Sequence, residues 1–141
     1  MQPRLFVATK AFILYQSKVL LIRESSKYDV GVHAGKFDVV GGRITPGEHV
    51  DEATLREIEE ETGLKVKLGK PFFVNESWPV VNGEQWQIIR IFYESFADAN
   101  QVTLSKDHDQ HIWIDPKEYK KHGVIENLHP AFEAFLSRSS S

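Results

Sequence analysis

Residues 42–64 read GRITPGEHVDEATLREIEEETGL, and the acidic part of this stretch is unusual for a helix. Glu57, Glu60 and Glu61 stand at positions i, i+3 and i+4, so a helix places all three carboxylates on one face. Like charges at these spacings repel, and the negative C-terminal end of the helix dipole adds to the repulsion. A hard divalent cation would reverse both effects, because Mg²⁺ and Mn²⁺ prefer oxygen ligands. The pattern indicates a metal site, with a solvated acidic helix end as the alternative.

The residues around the acidic cluster follow a fixed spacing. Gly42 is separated by five residues from Glu48 and by a further seven from the run REIEEETGL, residues 56–64. This pattern resembles the Nudix box, and every fixed position of the box is occupied. The sequence therefore resembles the Nudix hydrolase family over Gly42 to Leu64. The resemblance implies an α/β fold, an α/β/α sandwich with a mixed sheet, in which the box forms a loop–helix–loop.

The same resemblance implies a reaction and a set of site residues. The reaction is the metal-dependent hydrolysis of a diphosphate linkage in a nucleoside diphosphate joined to another moiety. Mg²⁺ or Mn²⁺ would neutralise the anionic pyrophosphate and lower the pKa of the attacking water. The positions that match the family's metal-binding or catalytic residues are Glu57, Glu60, Glu61, Arg56, Glu48 and, through its backbone carbonyl, Gly41.

The general base is left open by the sequence. Some family members use a box glutamate, and others use an acid from a later loop, which here reads SKDHDQH at residues 105–111. Asp107 is the best match to that later acid, although the family more often has glutamate there. His108 and His111 either form an independent zinc site or belong to a solvated loop or the outer shell of the box.

Substrate-binding side chains are expected from outside the box. An aromatic ring in a loop can stack on a nucleobase, and Trp78 lies in such a predicted loop. Trp86 opens a predicted strand, so core packing is an equal alternative for it. The candidates are Arg23, Phe37 and Trp78. Oxidised nucleoside triphosphates, ADP-ribose, sugar nucleotides and dinucleoside polyphosphates all stay open as substrates.

The flanking sequence predicts strands mixed with two or three helices. Pro71 places its strand at a sheet edge or in a bulge. Residues 24–36, with Tyr28 and His33 as possible ligand contacts, and residues 75–85 are predicted loops. Strands are predicted at 4–15, 19–23, 37–40, 66–74, 86–97 and 111–114, and helices at about 49–62, after 116 and after 129.

Composition excludes several other functions. The 141 residues suit one domain, predicted over 1–138 with a disordered tail at 139–141, acting as a monomer or homodimer. A net charge of −3 gives no electrostatic case for a nucleic-acid or membrane partner. The absence of cysteine excludes thiolate metal sites and argues against the related diphosphate isomerases, which use a catalytic cysteine. With no signal peptide or apolar span, a cytoplasmic location is expected.

Two non-enzymatic alternatives remain for the box. One is a catalytically weak nucleotide-sensing or binding module on the same fold, although such modules usually lose box glutamates. The other is a structural calcium site, although the acidic spacing is not that of an EF-hand loop.

Overall fold

In the computed structural model, which describes residues 2–25 and 35–138, eight strands form a mixed sheet. They are β1 (Arg4–Tyr15), β2 (Lys18–Glu24), β3 (Phe37–Asp38), β4 (Val40–Arg43), β5 (Val66–Ser77), β6 (Val80–Val81), β7 (Glu84–Ala97) and β8 (His108–Ile114). The helices are α1 (Val50–Thr62), a 3-10 helix (Pro116–Lys121) and α2 (Leu128–Arg138). The predictions for Tyr28, His33 and the tail at 139–141 lie outside the described residues.

The sheet is built around β1, which pairs with strands on both sides. Its main order is β3-β2-β1-β7-β5, while β4 also pairs with β1, β6 with β7 and β8 with β2. The β1–β7 pair is parallel along most of both strands, whereas the remaining pairs are antiparallel. Strands β1 and β2 form a hairpin, with Leu14 opposite Val19.

Alternation along β1 divides the interior into two cores, because successive strand residues point to opposite faces. Ala11 and Ile13 pack on one face with Ile58 of α1 and with Leu64. Phe12 packs on the other face, in the cluster that contains the aromatic residues of α2. Helices therefore cover both faces of a mixed sheet, so the predicted α/β/α sandwich is confirmed.

Helix α1 follows the sequence prediction closely. His49 precedes it, and Gly63 ends it in the left-handed region at φ 72°, where its N–H donates to the Glu59 carbonyl at 2.9 Å. Ala53 and Ile58 are buried, but Leu55 is 40% exposed. The position of Leu55 on the helix turns it to solvent, so it does not belong to the apolar face of α1.

Two stretches differ from their predicted structure. The strand expected at 37–40 is divided, since β3 pairs with β2 whereas β4 pairs with β1 and includes both glycines. In the loop expected at 75–85, residues 75–77 continue β5, and residues 80–85 form the hairpin of β6 and β7 around Asn82-Gly83. Strong pairing of β5 with β7 overrides the polar composition there.

The elements near the C-terminus agree with the predictions. Asp115 caps the 3-10 helix, accepting a hydrogen bond from the Lys117 N–H at 3.0 Å. Phe132 and Phe135 of α2 are buried against the sheet. As predicted, β5 lies at the end of the main strand order, and its register shifts around Pro71. Among the described residues, no helix is long and apolar enough to cross a membrane.

Candidate active site

Arg56 ties the loop before α1 to the acidic face of the helix, meaning Glu57, Glu60 and Glu61. Its Nε and Nη2 donate to the two carboxylate oxygens of Glu48 at 2.7 and 3.0 Å, a bidentate pair. Its Nη1 donates to Glu57 at 2.9 Å and reaches Glu60 at 3.3 Å. The Glu48 carboxylate raises the pKa of Arg56, and the Arg56 hydrogen bonds lower the pKa of Glu48. One guanidinium thus fixes two carboxylates of the acidic face.

Glu57 is the member of the acidic face that lies against the sheet. A Cβ atom at Gly42 would fall 2.5 Å from its carboxylate, so only glycine at position 42 lets the side chain come so close. Burial raises the pKa of Glu57, and the negative charges of Glu60 and Glu61 raise it further, while the Arg56 hydrogen bond opposes the rise. The surroundings of Glu57 therefore favour binding of a proton or a cation by its carboxylate.

Glu61 is held by the loop that precedes β8. His108 Nδ1 lies 2.6 Å from a Glu61 carboxylate oxygen, and the Ser105 hydroxyl donates to the same oxygen at 2.9 Å. The hydrogen bond with His108 lowers the pKa of Glu61 against the opposing effect of burial. Of the two sequence alternatives for His108, the geometry places it beside the box.

Glu60 is the exposed member of the acidic face, with 57% of its side chain accessible. The three carboxylates therefore range from mostly buried Glu57 to open Glu60 on consecutive turns of one helix. No three acidic or histidine side chains in the described ranges converge as a ready-made metal cluster. Arg56 pairs with Glu57 instead, and His108 contacts Glu61. The donor chemistry nevertheless fits Mg²⁺ or Mn²⁺, because carboxylate oxygens are the ligands these cations prefer. Burial raises the pKa of Glu57 even though Arg56 donates to it, so added positive charge would stabilise its carboxylate.

A cavity of about 270 Å³ opens next to the box, on the face of the sheet opposite α1. We call it the aromatic pocket. Gly42 lines it, so the same residue borders both the pocket and the Glu57 carboxylate. The other lining residues are Phe6, Ala8, Lys10, Asp38, Arg43, Trp86, Ile88, Arg90, Ile125 and Asn127.

The pocket combines aromatic rings with cationic side chains. Phe6 and Trp86 meet edge to face at 4.7 Å between ring centroids, and the Arg43 guanidinium lies over both rings, at 3.9 and 4.7 Å from their centroids. Lys10 donates to Asp38 at 2.8 Å. The flat aromatic rings suit a nucleobase, and the cationic side chains beside them suit its phosphates.

The predicted substrate residues lie in two other places. Arg23 and Phe37 are neighbours on β2 and β3, with the guanidinium 6.0 Å from the ring and 2.8 Å from an Asp109 oxygen. Trp78 is 52% exposed beyond the end of β5 and is not among the described residues that line the aromatic pocket. The Asp107 carbonyl accepts from the Ser25 N–H at 2.9 Å, which places Asp107 one residue from the His108 that contacts Glu61.

Sequence reasoning missed most of the pocket. It weighed Trp86 without choosing it and did not single out Lys10, Arg43 or Arg90. A signal was present: in β1, Lys10 interrupts an otherwise apolar run, and in β7 Arg90 does the same. Charged residues inside strands that must be largely buried mark polar sites more often than structural ones.

Comparison with known proteins agrees with this geometry. A family model described as NUDIX domain matches residues 5–135. A CTP pyrophosphohydrolase of Escherichia coli K12 is 26% identical over 127 residues, covering 90% of this chain and 88% of its own. The nucleoside triphosphatase NudI of Escherichia fergusonii is 25% identical over 103 residues, covering 68% of this chain and 73% of its own.

Solved structures show the same fold over nearly the whole chain. A MutT protein from Methanosarcina mazei Go1 has a TM-score of 0.82 at 23% identity, covering 100% of this chain and 99% of that one. A MutT NUDIX hydrolase from Burkholderia pseudomallei has a TM-score of 0.75 at 25% identity, covering 95% and 98%.

Proposed function

The chain belongs to the Nudix hydrolase family, whose members act on phosphorus-containing acid anhydrides, and from that premise we propose that it cleaves a diphosphate linkage in a nucleoside triphosphate. One observation carries the proposal: Gly42 borders both the Glu57 carboxylate and the aromatic pocket. A nucleotide with its base in the pocket would therefore have its phosphates beside the acidic face.

Glu57, Glu60 and Glu61, with the backbone carbonyl of Gly41, would hold Mg²⁺ or Mn²⁺. Such a cation, when bound, supplies charge neutralisation of the phosphate oxygens and acidifies a bound water. Arg56 acts as a positioning residue, because its bidentate pair with Glu48 leaves Nη1 free to orient Glu57 and Glu60. Gly41 lies on β4 beside Lys10 of β1, so its backbone position is fixed by sheet pairing.

Two carboxylates compete for the role of general base, Glu57 and Asp107. We propose Glu57, because burial and, to a smaller extent, its acidic neighbours raise its pKa above the ordinary value of a glutamate. Glu61 is less suited, since its hydrogen bond with His108 lowers its pKa. Asp107 lies in the loop that positions His108 and serves as the alternative base.

Lys10 and Arg43 are the cations available to the phosphates. Lys10 lies on β1 opposite Gly41, and its charge lowers the pKa of Glu61, so its field reaches the acidic face. Arg43 follows Gly42 directly, and its carbonyl accepts from Arg56 at 3.4 Å. Positive charge on the pocket side and a metal ion on the helix side would together compensate a polyphosphate. Arg23, Phe37 and Trp78 remain proposed substrate contacts, although they are not among the described residues that line the aromatic pocket.

Nucleoside triphosphates are the first substrate class to test. Relatives that cover most of the chain are named for CTP and for nucleoside triphosphates. A single domain over residues 1–138, a monomeric or homodimeric state and a cytoplasmic location stay predictions.

The proposal is tested by incubating purified protein with CTP, UTP, ATP, GTP, ADP-ribose, a sugar nucleotide and a diadenosine polyphosphate, in the presence and absence of Mg²⁺ or Mn²⁺. We expect metal-dependent release of phosphate-containing products from a nucleoside triphosphate. Turnover of another compound alone would contradict the substrate class. Tight binding of a nucleotide without turnover of any compound would overturn the hydrolase proposal in favour of a nucleotide-sensing module.

A further inference from the structure

One end of the sheet is open on the side that faces α1. The hydroxyl groups of Thr54 in α1 and Thr9 in β1 are hydrogen-bonded, which identifies the α1 side of β1. Successive residues of a strand point to opposite faces, so Leu5 and Val7 share this side with Thr9. Leu5 is 58% exposed, so the start of β1 lies beyond the cover of the helix.

The open surface continues onto β7, which pairs with β1 in parallel. Val7 lies opposite Ile89, and paired residues of neighbouring strands point to the same face. Leu5 lies opposite Gln87 in the same register. Ile91 follows Ile89 on this face by alternation, so apolar side chains of the two strands are adjacent on the α1 side.

Strands β5 and β6 extend the surface on the other side of β7. Val74 of β5 lies opposite Ile91, and the pairing keeps this register into β6, where Val80 lies opposite Gln85. Val74, Trp78 and Val80 are separated by even numbers of residues, so alternation places all three on the α1 side. We call this surface the open sheet face; it is formed by Leu5, Val7, Val74, Trp78, Val80, Ile89 and Ile91.

Well-exposed large apolar side chains concentrate at this surface. Among the described residues they are Leu5, Leu55, Val74, Trp78, Val80 and Phe96, and four of the six belong to the open sheet face. Burial raises the pKa of Tyr93 on β7, and the charge of Asp51 adds to the rise, so Asp51 lies near this face. Leu55 stands one helical turn after Asp51 and therefore borders the face. Phe96 is the exception, since it lines a cavity with residues of α2.

The open sheet face is large enough to form one side of a protein–protein interface. The five exposed side chains on it and beside it, at exposures of 40–67%, present about 500 Å² of apolar surface. Partly buried Val7, Ile89 and Ile91 add to this area. A standard interface takes roughly 800 Å² from each partner, whereas soluble monomers rarely expose apolar patches above a few hundred Å².

The charges around this surface restrict what can cover it. Glu76 of β5 shares the face by alternation and accepts a hydrogen bond from Gln87 at 3.3 Å, and Asp51 lies at the border. No lysine or arginine shares the face among the described strand residues. Acidic groups without basic ones give no attraction to nucleic acid or to an anionic membrane. A sheet face with an uncharged centre matches another such face, because stacked sheets interdigitate their side chains about 10 Å apart.

We infer that the open sheet face binds the same face of a second copy of this chain, forming a two-fold symmetric dimer. Val7, Ile89 and Ile91 form the centre of the interface. Glu76 stays at the wet rim, because β5 ends the main strand order of the sheet. The ring of Trp78 packs in the interface, which gives it a role other than the substrate contact considered above.

The dimer leaves both acidic faces open. Residues 8–11 of β1 pair with β4 and also with β7, so these two strands lie on opposite edges of β1. Glu57 lies against Gly42 of β4, whereas the open sheet face extends from β1 to β7 and β5. Loss of the dimer and loss of nucleotide hydrolysis are therefore separate outcomes.

The test is analytical ultracentrifugation of the full chain from about 1 µM to 1 mM, where we expect a reversible monomer–dimer equilibrium. Val74→Glu places a carboxylate in the interface near Glu76 and should raise the dimer dissociation constant at least about 100-fold. Phe96→Glu is the matched control, because it introduces the same charge at an exposed apolar residue outside the face. It should change the constant less than about threefold. Thermal unfolding checks that both variants are folded.

A second measurement covers the case in which Val74→Glu fails to fold. The chain has no cysteine, so the variants Val80→Cys and Phe96→Cys each carry a single thiol. Modification of the Val80→Cys thiol should slow at least about fivefold from dilute to concentrated protein, whereas Phe96→Cys should react at one rate.

Monomeric wild-type protein at every concentration would overturn the inference, and flotation of that monomer with phospholipid vesicles would assign the face to a membrane instead. An unchanged dissociation constant in Val74→Glu, or an equal loss of the dimer in Phe96→Glu, would place the interface elsewhere on the molecule. A Val80→Cys thiol whose reaction rate does not depend on protein concentration would contradict the dimer as well.

Discussion

The two sides of the candidate site are built in opposite ways. The acidic face comes from consecutive turns of one helix, and its members are held by Arg56 and by the loop before β8. The aromatic pocket is assembled from β1, β4, β7 and the segment before α2, and parallel pairing of β1 with β7 sets Phe6 opposite Ile88, two residues from Trp86. The acidic face is therefore formed by residues close together in sequence, whereas the aromatic pocket is formed by residues that strand pairing brings together.

The two sides also differ in charge and in what they lack. The acidic face needs positive charge, since burial and neighbouring carboxylates raise the pKa of Glu57. The pocket is lined instead by the rings of Phe6 and Trp86, with the Arg43 guanidinium over both. In the proposed site a metal ion would bind the first side and a nucleotide the second, and a side chain at Gly42 would clash with the Glu57 carboxylate. If the two sides act separately, substitutions in the acidic face should affect metal binding and substitutions in the pocket should affect nucleotide binding.

Loss of one carboxylate from the acidic face should have the largest effect. Glu60→Gln should lower kcat by about 10³-fold or more, since a metal ligand is lost. Stability should stay the same or rise by a few tenths of a kcal/mol, because helical repulsion is relieved. Steady-state kinetics with Mg²⁺ and thermal unfolding measure the two effects.

The matched control for that variant is Glu59→Gln, which removes an exposed carboxylate next to Glu60 in the same helix. Its turnover should stay near that of the wild type. A Glu60→Gln enzyme with unchanged turnover would remove Glu60 from the metal site.

The positioning role of Arg56 predicts the next largest effect. Arg56→Lys keeps the charge but cannot make the bidentate pair with Glu48 while also bonding Glu57. Activity should fall about 10–100-fold, as for other groups that orient metal ligands. The Mg²⁺ concentration that gives half-maximal activity should rise in parallel. A lower kcat with unchanged Mg²⁺ dependence would contradict a role through the carboxylates.

Substitutions of two tryptophans distinguish substrate binding in the aromatic pocket from binding at the exposed Trp78. Trp86→Ala should raise KM about tenfold, because stacking on an aromatic ring contributes about 1–3 kcal/mol per base. Trp78→Ala, which removes an equally large ring outside the described pocket lining, should change KM less than about twofold. Nucleotide-concentration curves for both variants decide the matter. The reverse ranking would restore Trp78 as the stacking residue.

The loop before β8 should give the smallest effects. His108→Gln disturbs the contact with Glu61 and should lower activity about tenfold. Asp107→Asn should lower it less than about threefold if Glu57 is the base. Rates across a pH series for each variant are the measurement. A larger loss in Asp107→Asn than in His108→Gln would move the base into this loop.

The difference between the two sides also determines what the sequence could predict. The acidic face and the extent of α1 depend on contacts within a short span, so the spacing of residues indicated them, whereas Arg56 and Glu48 were singled out through the family resemblance. Most strands were predicted because alternation is a local pattern. The exceptions, β3 with β4 and the extended hairpin of β5 to β7, depend on which strands pair, and pairing is a long-range property.

The pocket could not be predicted for the same reason. Arg90 and Lys10 are visible in the sequence as charges within apolar strands, but their shared face depends on the parallel register that sets Ala8 opposite Arg90 and Lys10 opposite Phe92. The segment carrying Asn127 reaches the pocket only because α2 packs on that face. Trp78 was preferred over Trp86 because a predicted loop suggested accessibility, whereas the strand at Trp86 forms a pocket wall.

The most direct test of the division between the two sides measures metal binding and nucleotide binding separately in the same three proteins. Mn²⁺ binding would be measured by electron paramagnetic resonance, and CMP binding by calorimetry without metal, in the wild type, Glu60→Gln and Trp86→Ala. We predict that Glu60→Gln loses Mn²⁺ affinity but keeps CMP affinity, and that Trp86→Ala does the opposite. Unchanged Mn²⁺ affinity in Glu60→Gln, or unchanged CMP affinity in Trp86→Ala, would contradict the account.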